Sequence, residues 1–239
     1  NFFCDSIASF GLETSVCSEI MLAQNFLQSR FAAHMNEFGL SYATSEEYNL
    51  RVALFAEKDA FIMEHNAQNG SYTVGHNKFS TWTDAEYKAI LGAKVDTREN
   101  IEYTTLPETN DADVDWRTKG AVNGVKDQAR CGSCWAFSAI AAFEGAHFIK
   151  TGELVSMSEQ QVVSCDHTSF GATGLVDSAF KYLESTADEL EADYPYTSGS
   201  GVTGTCKPDA SLEKYFVDDY SNVPANSVSQ LKAAIAQQP

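Results

Sequence analysis

Six residues, Glu47, Arg51, Phe55, Lys58, Ile62 and Asn66, are spaced four, four, three, four and four apart. That rhythm returns each side chain to one face of an α-helix, and no strand, with its two-residue repeat, reproduces it. Thr44, with Glu47 three residues on, supplies a capping-box start for this helix. An earlier helix is predicted over 15–39, where Leu27, Phe31, Met35 and Phe38 recur at helical spacing and Gly39 stands at the stop. Asn69-Gly70 then marks a turn, and the short β-prone run Tyr72-Thr73-Val74 predicts an edge strand.

A polar stretch rich in Asp, Glu, Asn and Thr, from Lys94 to Asp113, reads as a linker between two folded units. The second unit opens at Val114-Asp115-Trp116. Its strongest helix is predicted over 133–150, apolar at Phe137, Ile140, Ala141 and Phe148 and closed by Thr151-Gly152. Further helices are expected from Ser158, over 176–185, and over 227–237. Hydrophobic residues make up 44% of the chain, enough for a substantial core and against general disorder. With 33 acidic against 16 basic side chains the net charge is −17, which leaves nothing to neutralise phosphates and argues against a nucleic-acid partner. No uncharged apolar run reaches the roughly 18 residues a membrane helix needs; Cys131 to Phe143 is the nearest approach.

The first residue is Asn and no basic-then-apolar segment precedes the folded region, so a signal peptide is expected to be absent or already removed. Six cysteines are present, at 4, 17, 131, 134, 165 and 206. Cys131-x-x-Cys134 has no matching second pair, which argues against zinc; no metal or cofactor is expected. One or two disulfides plus a working thiol in an oxidising compartment fit better, and the sequon Asn69-Gly70-Ser71 agrees with secretion.

Chemistry concentrates in Gln128-Ala129-Arg130-Cys131-Gly132-Ser133-Cys134-Trp135. Cys134 falls where the strong helix begins, after small residues that permit a sharp turn. The positive end of the helix dipole there favours thiolate. Gln128 can turn its amide to the same point and, with the Cys134 backbone N–H, offer two donors to a developing oxyanion. A buried, inert thiol is the competing reading of a lone cysteine.

The run Val114-Asp115-Trp116-Arg117, Gly120-Ala121-Val122 and Cys131-Gly132-Ser133-Cys134-Trp135-Ala136-Phe137-Ser138 resembles papain-like cysteine proteases of the cathepsin L type. The stripe at Glu47, Arg51, Phe55, Ile62 and Asn66 resembles that family's ERFNIN propeptide motif, with Lys58 in place of an Asn. Gly75-x-Asn77-x-Phe79 resembles its second propeptide motif, with Thr81 where Asp is usual. Ser158-Glu159-Gln160-Gln161 and Asp193-Tyr194-Pro195-Tyr196 match further on. The resemblance implies an α+β fold, mostly helical in this chain: a helical inhibitory propeptide followed by the helical half of a papain-like protease, with the β-rich half largely absent. It implies an N-terminal extension over 1–19, a propeptide over 20–90, a linker with the maturation site over 91–112, and protease from 113 to 239. Cys134 is then the nucleophile and Gln128 the oxyanion donor, with Gly132, Ser133 and Trp135 flanking the cleft. Gly174 presents its backbone to an extended peptide, and Leu175 and Val176 line an apolar pocket; ordinary helix-start packing is the alternative for these two. A Cys165–Cys206 disulfide is implied too.

Three departures qualify the resemblance. The family's Cys-Asn-Gly-Gly turn reads Gly171-Ala172-Thr173-Gly174 here, so Cys131 is expected to be a free thiol, open to a bridge with Cys134 under oxidation, while Cys4 and Cys17 are left to pair with each other. Thr81 removes a propeptide carboxylate. The family's His and Asn lie beyond Pro239, roughly 130–150 residues past the nucleophile. Of the five histidines, His34, His65 and His76 belong to the propeptide, His147 lies roughly 20 Å down the nucleophile's own helix, and His167 sits in a loop. The expected function is therefore that of a cysteine endopeptidase precursor acting on protein and peptide substrates, incomplete in this chain. It would be restrained by its own propeptide, monomeric, and endolysosomal or secreted. A propeptide-like inhibitor of papain-like proteases and an inactive protease homologue are the alternatives.

Overall fold

A computed structural model describes residues 14–94, 97, 101–109, 113–167 and 174–239, with side chains from Glu19 onward. The expected Cys4–Cys17 pairing and the turn at 171–173 lie outside these residues. The chain divides into two compact units, Asn1–Tyr87 and Lys88–Pro239.

In the first unit, helices α1 (Thr14–Glu37) and α2 (Ser45–Ala67) pack against each other. α1 gives way to Gly39 in the left-handed region at φ +62°, where glycine escapes the Cβ clash. Thr44 caps α2 by accepting the Glu47 N–H at 3.1 Å. The predicted stripe points inward at Phe55, which is 1% exposed and meets fully buried Phe31 edge-on at 5.4 Å between ring centres. His34 joins this core from α1, and His76 stacks on Phe55 at 4.2 Å.

The expected strand at Tyr72–Val74 does not form. The amide of Asn66 donates to the Val74 carbonyl at 2.8 Å and accepts its N–H at 2.9 Å, so the residue that would pair in a ladder is bound to one side chain instead. Asn77 then closes a turn, accepting the Phe79 N–H at 2.9 Å while its own N–H donates to Ser80 Oγ. Helix α3 (Asp84–Ala89) follows. Thr83 and Glu86 start it reciprocally. Thr83 Oγ1 accepts the Glu86 N–H, and Glu86 Oε2 accepts the Thr83 N–H at 2.7 Å.

That carboxylate also anchors Arg51. Both guanidinium nitrogens reach Glu86 at 2.6 Å, a third bond goes to the Thr81 carbonyl at 2.8 Å, and Glu47 stands 3.4 Å away on the same face. The Arg51 hydrogen bonds hold the Glu86 carboxyl down at about 2. Arg51 therefore ties α2 to α3 and to the turn before it.

The second unit is built around α4 (Cys134–Thr151), against which α5 (Glu159–Cys165) and α6 (Val176–Ser185) pack. Trp135, Ile140, Met157, Val162, Val163 and Leu183 form its core. α4 ends on Gly152 at φ +79°, whose N–H returns to Phe148 at 2.7 Å. Ser158 caps α5, and Ser227 caps α7 (Val228–Gln237). Among the described residues extended pairing is confined to isolated bridges. Lys126 lies between two buried carboxylates, Glu144 at 2.8 Å and Glu159 at 2.6 Å. Burial pushes Glu159 up to about 7, with Lys126 pulling the other way. The Cys165–Cys206 disulfide is present.

The stretch read as a linker makes contacts of its own. Its described parts belong with the second unit: Thr104 donates to the Asn222 carbonyl at 2.9 Å, and the Gln230 amide bonds Leu106 at both its N–H and its C=O. Polar composition concealed this, because backbone groups and one glutamine, rather than apolar side chains, make the attachment. No described helix is long and apolar enough to cross a membrane.

Candidate active site

Cys134 is the first residue of α4, half-buried and not disulfide-bonded. Its neighbour Ser133 occupies the N-cap position but makes no side-chain cap; its hydroxyl lies 2.7 Å from that of Tyr196. Gln128 stands on the incoming loop. Ala129, next in that loop, sits at φ +51°, a left-handed conformation a residue with a Cβ rarely adopts, with its N–H on Asp127 at 2.9 Å. This sharp reversal turns the chain from Gln128 into the helix.

Both amide hydrogens of Gln128 are engaged. One reaches the Cys131 carbonyl at 2.6 Å and the other the Ile90 carbonyl at 2.9 Å. A short distance along the chain, the Gly174 N–H donates to the Gly92 carbonyl at 3.1 Å, and Lys94 donates to the Gly174 carbonyl at 3.0 Å. Ala93 and Gly174 thus form a parallel bridge. Residues 90–94, all within the second unit, therefore lie along Gln128 and Gly174 as an extended peptide held through its backbone. Chemically, the arrangement offers a thiol at a helix start, a side-chain amide already on a peptide carbonyl, and a backbone edge already paired with a peptide.

The other expected site residues are placed unevenly. Leu175 and Val176 are half-buried at the start of α6, and Val176 packs against the core. Trp135 is 1% exposed and Ser133 is fully buried. Cys131 is a free thiol, as its missing partner implies, but it is 1% exposed and faces the Tyr196 phenol. That burial removes the basis for an oxidative Cys131–Cys134 bridge. His147 packs edge-on against Tyr215 at 5.3 Å, and His167 is exposed in its loop. In the first unit, Glu47, Arg51, Phe55, Asn66, Asn77 and Phe79 make the contacts described above, and Ile62 and Gly75 line a shallow hollow there with Phe79. Sequence reasoning missed Glu86, though the Thr83-x-x-Glu86 capping pattern signals it, and it missed Ile90 and Gly92 as backbone partners of Gln128 and Gly174, for which no local pattern exists.

Comparisons with known proteins agree with this geometry. Residues 110–239 match the family model "Papain family cysteine protease", and residues 31–87 match "Cathepsin propeptide inhibitor domain". The chain is 37% identical over 248 residues to "Probable cysteine protease RD21B" of Arabidopsis thaliana, covering 98% of this chain and 53% of that protein. It is similar to the solved "Recombinant stem bromelain precursor" at TM-score 0.77 and 33% identity, covering 89% of this chain and 70% of that one. It is also similar to "digestive procathepsin L 3 of Tenebrio molitor larval midgut" at TM-score 0.78 and 30% identity, covering 88% and 70%. The chain spans about half the length of the curated relatives it matches. It belongs to the papain family of cysteine proteases and carries a cathepsin propeptide inhibitor domain ahead of its protease segment.

Proposed function

We propose that this chain is the propeptide and nucleophile-bearing part of a peptidase precursor that cleaves peptide bonds by acyl transfer. The Cys134 thiolate adds to the scissile carbonyl, forming a carbon–sulfur bond. The resulting oxyanion accepts hydrogen bonds from the Gln128 amide and the Cys134 backbone N–H. Collapse breaks the carbon–nitrogen bond, the amine leaves with a proton from an imidazole, and water releases the acyl group from sulfur. No described histidine of the second unit stands beside Cys134, and the imidazole is assigned to a part of the whole protein outside this chain. Gly174 binds the substrate backbone, and Leu175 contributes to a pocket for an apolar side chain. Gly132 leaves room for the backbone at the helix start.

The observation that carries this reading is the seating of residues 90–94. The donors that the reaction needs, on Gln128 and Gly174, already hold a peptide. The same groups cannot hold a substrate at once, so this segment supports a propeptide that restrains the enzyme in cis. An endolysosomal or secreted setting accords with a zymogen of this kind. The test uses the whole protein, before and after removal of residues 1–112. Removal is expected to raise the rate at which a peptidyl epoxide labels Cys134 by at least tenfold, with Cys134→Ser abolishing labelling. Equal labelling rates before and after removal would refute the restraint.

A further inference from the structure

The loop that delivers Gln128 is strained at Ala129 and must be fixed from outside itself. Within it, Cys131 donates to the Gln128 carbonyl at 3.2 Å, the Gln128 amide donates to the Cys131 carbonyl at 2.6 Å, and Asp127 takes the Ala129 N–H. Two external ties on its backbone come from the neighbouring loop 196–201. Arg130 donates to the Gly199 carbonyl at 3.0 Å, and the Tyr196 hydroxyl donates to the Gln128 carbonyl at 3.0 Å. Proton accounting fixes the direction of the chain of bonds. A phenol has one hydrogen, and the Gln128 carbonyl can only accept. The Ser133 hydroxyl, 2.7 Å away, therefore donates to Tyr196 Oη. One oxygen thus joins the backbone of the oxyanion donor to the residue immediately before the nucleophile.

Tyr196 is itself firmly held. Its ring meets Phe137 of α4 edge-on at 5.0 Å, and its N–H donates to Glu191 at 2.9 Å. The next two N–H groups, of Thr197 and Ser198, both donate to the side-chain oxygen of Gln160, at 2.7 and 2.9 Å. Gln160 is 1% exposed, and its amide nitrogen bonds Ser164, Ser198 and the Thr203 carbonyl. The hydroxyl is therefore carried by a rigid loop anchored in the core, and it reaches toward a strained one. With Cys131 unbridged, no covalent bond duplicates this tie.

We infer that Tyr196 is a positioning residue for acyl transfer, its hydroxyl setting the distance between the Gln128 amide and the Cys134 sulfur. This rests on the roles proposed above for Cys134 and Gln128. Deleting an oxyanion donor outright costs about 10²- to 10³-fold in rate, so loosening its mount is expected to cost about tenfold.

The test is Tyr196→Phe in the catalytically active protein, since phenylalanine keeps the ring on Phe137 and removes only the oxygen. Three quantities are compared with wild type: kcat and KM on a peptide substrate, the inhibition constant of a peptide aldehyde, and the rate of Cys134 alkylation by iodoacetamide. The aldehyde adduct places an oxygen where the oxyanion forms, whereas alkylation needs the thiolate alone. Expected are about a tenfold fall in kcat and about a tenfold weaker aldehyde, with KM and alkylation within about twofold. A lower melting temperature with kcat and aldehyde binding unchanged would make Tyr196 merely structural and overturn the inference. An equal fall in alkylation would overturn it as well, by placing the effect on the thiolate. Should Tyr196→Phe not fold, Ser133→Ala breaks the other end of the chain of bonds and must weaken the aldehyde more than it slows alkylation; failure to do so overturns the inference. If wild-type Cys134 neither alkylates nor binds the aldehyde, the parent reading has failed, and that outcome is visible without any variant.

Discussion

His34 gives the first unit a sensitivity to acid that can be worked out from its surroundings. The ring is 4% exposed and, among the described residues, neither of its nitrogens has a hydrogen-bond partner. It faces the rings of Phe38 and Phe55 and, at 5.5 Å between centres, that of His76. The charged groups around it are Glu37 on its own helix and, behind His76, Asp59 of α2, which His76 contacts at 3.0 Å and Arg30 of α1 also pairs. Burial lowers the His34 pKa below 6.5 and His76 lowers it further, while Glu37 opposes them. The unfolded chain then binds the proton first, so stability present above pH 6.5 is lost as pH falls. A ring that stayed neutral when folded would cost at most about 1.4 kcal/mol at pH 5.5 and about 2.7 kcal/mol at pH 4.5. The assay is urea denaturation of wild type and His34→Leu at pH 7.5, 6.5 and 5.5, taking the difference between the two proteins at each pH so that other titrating groups cancel. The wild type is expected to lose stability relative to the variant between pH 7.5 and 5.5, by no more than the limit of about 1.4 kcal/mol. A difference that stays flat across that range, or a His34 ring titrating at or above 6.5 by NMR, would refute the reasoning.

The remaining expectations follow from other buried contacts. Arg51→Ala should destabilise the first unit by about 2–3 kcal/mol, the loss of a largely buried cation tempered by a partly exposed Glu86; thermal melts showing less than about 0.5 kcal/mol would remove Arg51 as the tie between α2 and α3. Lys126→Met should cost the second unit about 3–5 kcal/mol by leaving Glu144 and Glu159 unpaired, and hydrogen exchange in α4 and α5 unchanged from wild type would contradict it. Glu159, raised to about 7 by burial, contributes stability that is fullest below pH 4.5 and fades as pH rises through about 7. The second unit should therefore steady on acidification, and Glu159→Gln should flatten that trend in exchange rates measured at pH 4.5 and 7. In the active protein, Leu or Phe two positions before the cut should outpace Ala by about ten- to a hundredfold if Leu175 lines that pocket; a library profile dominated by Arg or Glu would dismiss it.

Helices were legible because their signals are local. The four-and-three spacing, the cap at Thr44 and the stops at Gly39 and Gly152 each act within a turn or two of chain. The placement of Cys134 was legible for the same reason, as a thiol at a helix start behind small residues. Val74 was misread because strand propensity lost to a side chain eight residues away: a single Asn66 amide satisfies both backbone groups. The attachment of 101–109 was not legible because hydrogen bonds to Asn222 and Gln230, more than a hundred residues on, leave no periodicity. His34 and Tyr196 escaped for a related reason. Each lies within a pattern assigned to something else, a helix stripe and a sequence motif, and its importance arises only from what a distant part of the chain places beside it.

Residues 90–94 meet Gln128 and Gly174 through three hydrogen bonds. At about 1 kcal/mol net each, a free peptide making only those contacts would dissociate at roughly 5–10 mM. A covalently attached segment behaves as though present at a fixed local concentration of about millimolar order, comparable with that figure, whatever the dilution, and so it keeps returning to these groups where a free one would leave them empty. Occupancy of the groove is thus a property of chain continuity more than of intrinsic affinity. A single cut between the segment and the rest of its unit would turn a permanent competitor into a ligand that diffuses away, with no need to alter any residue that touches it.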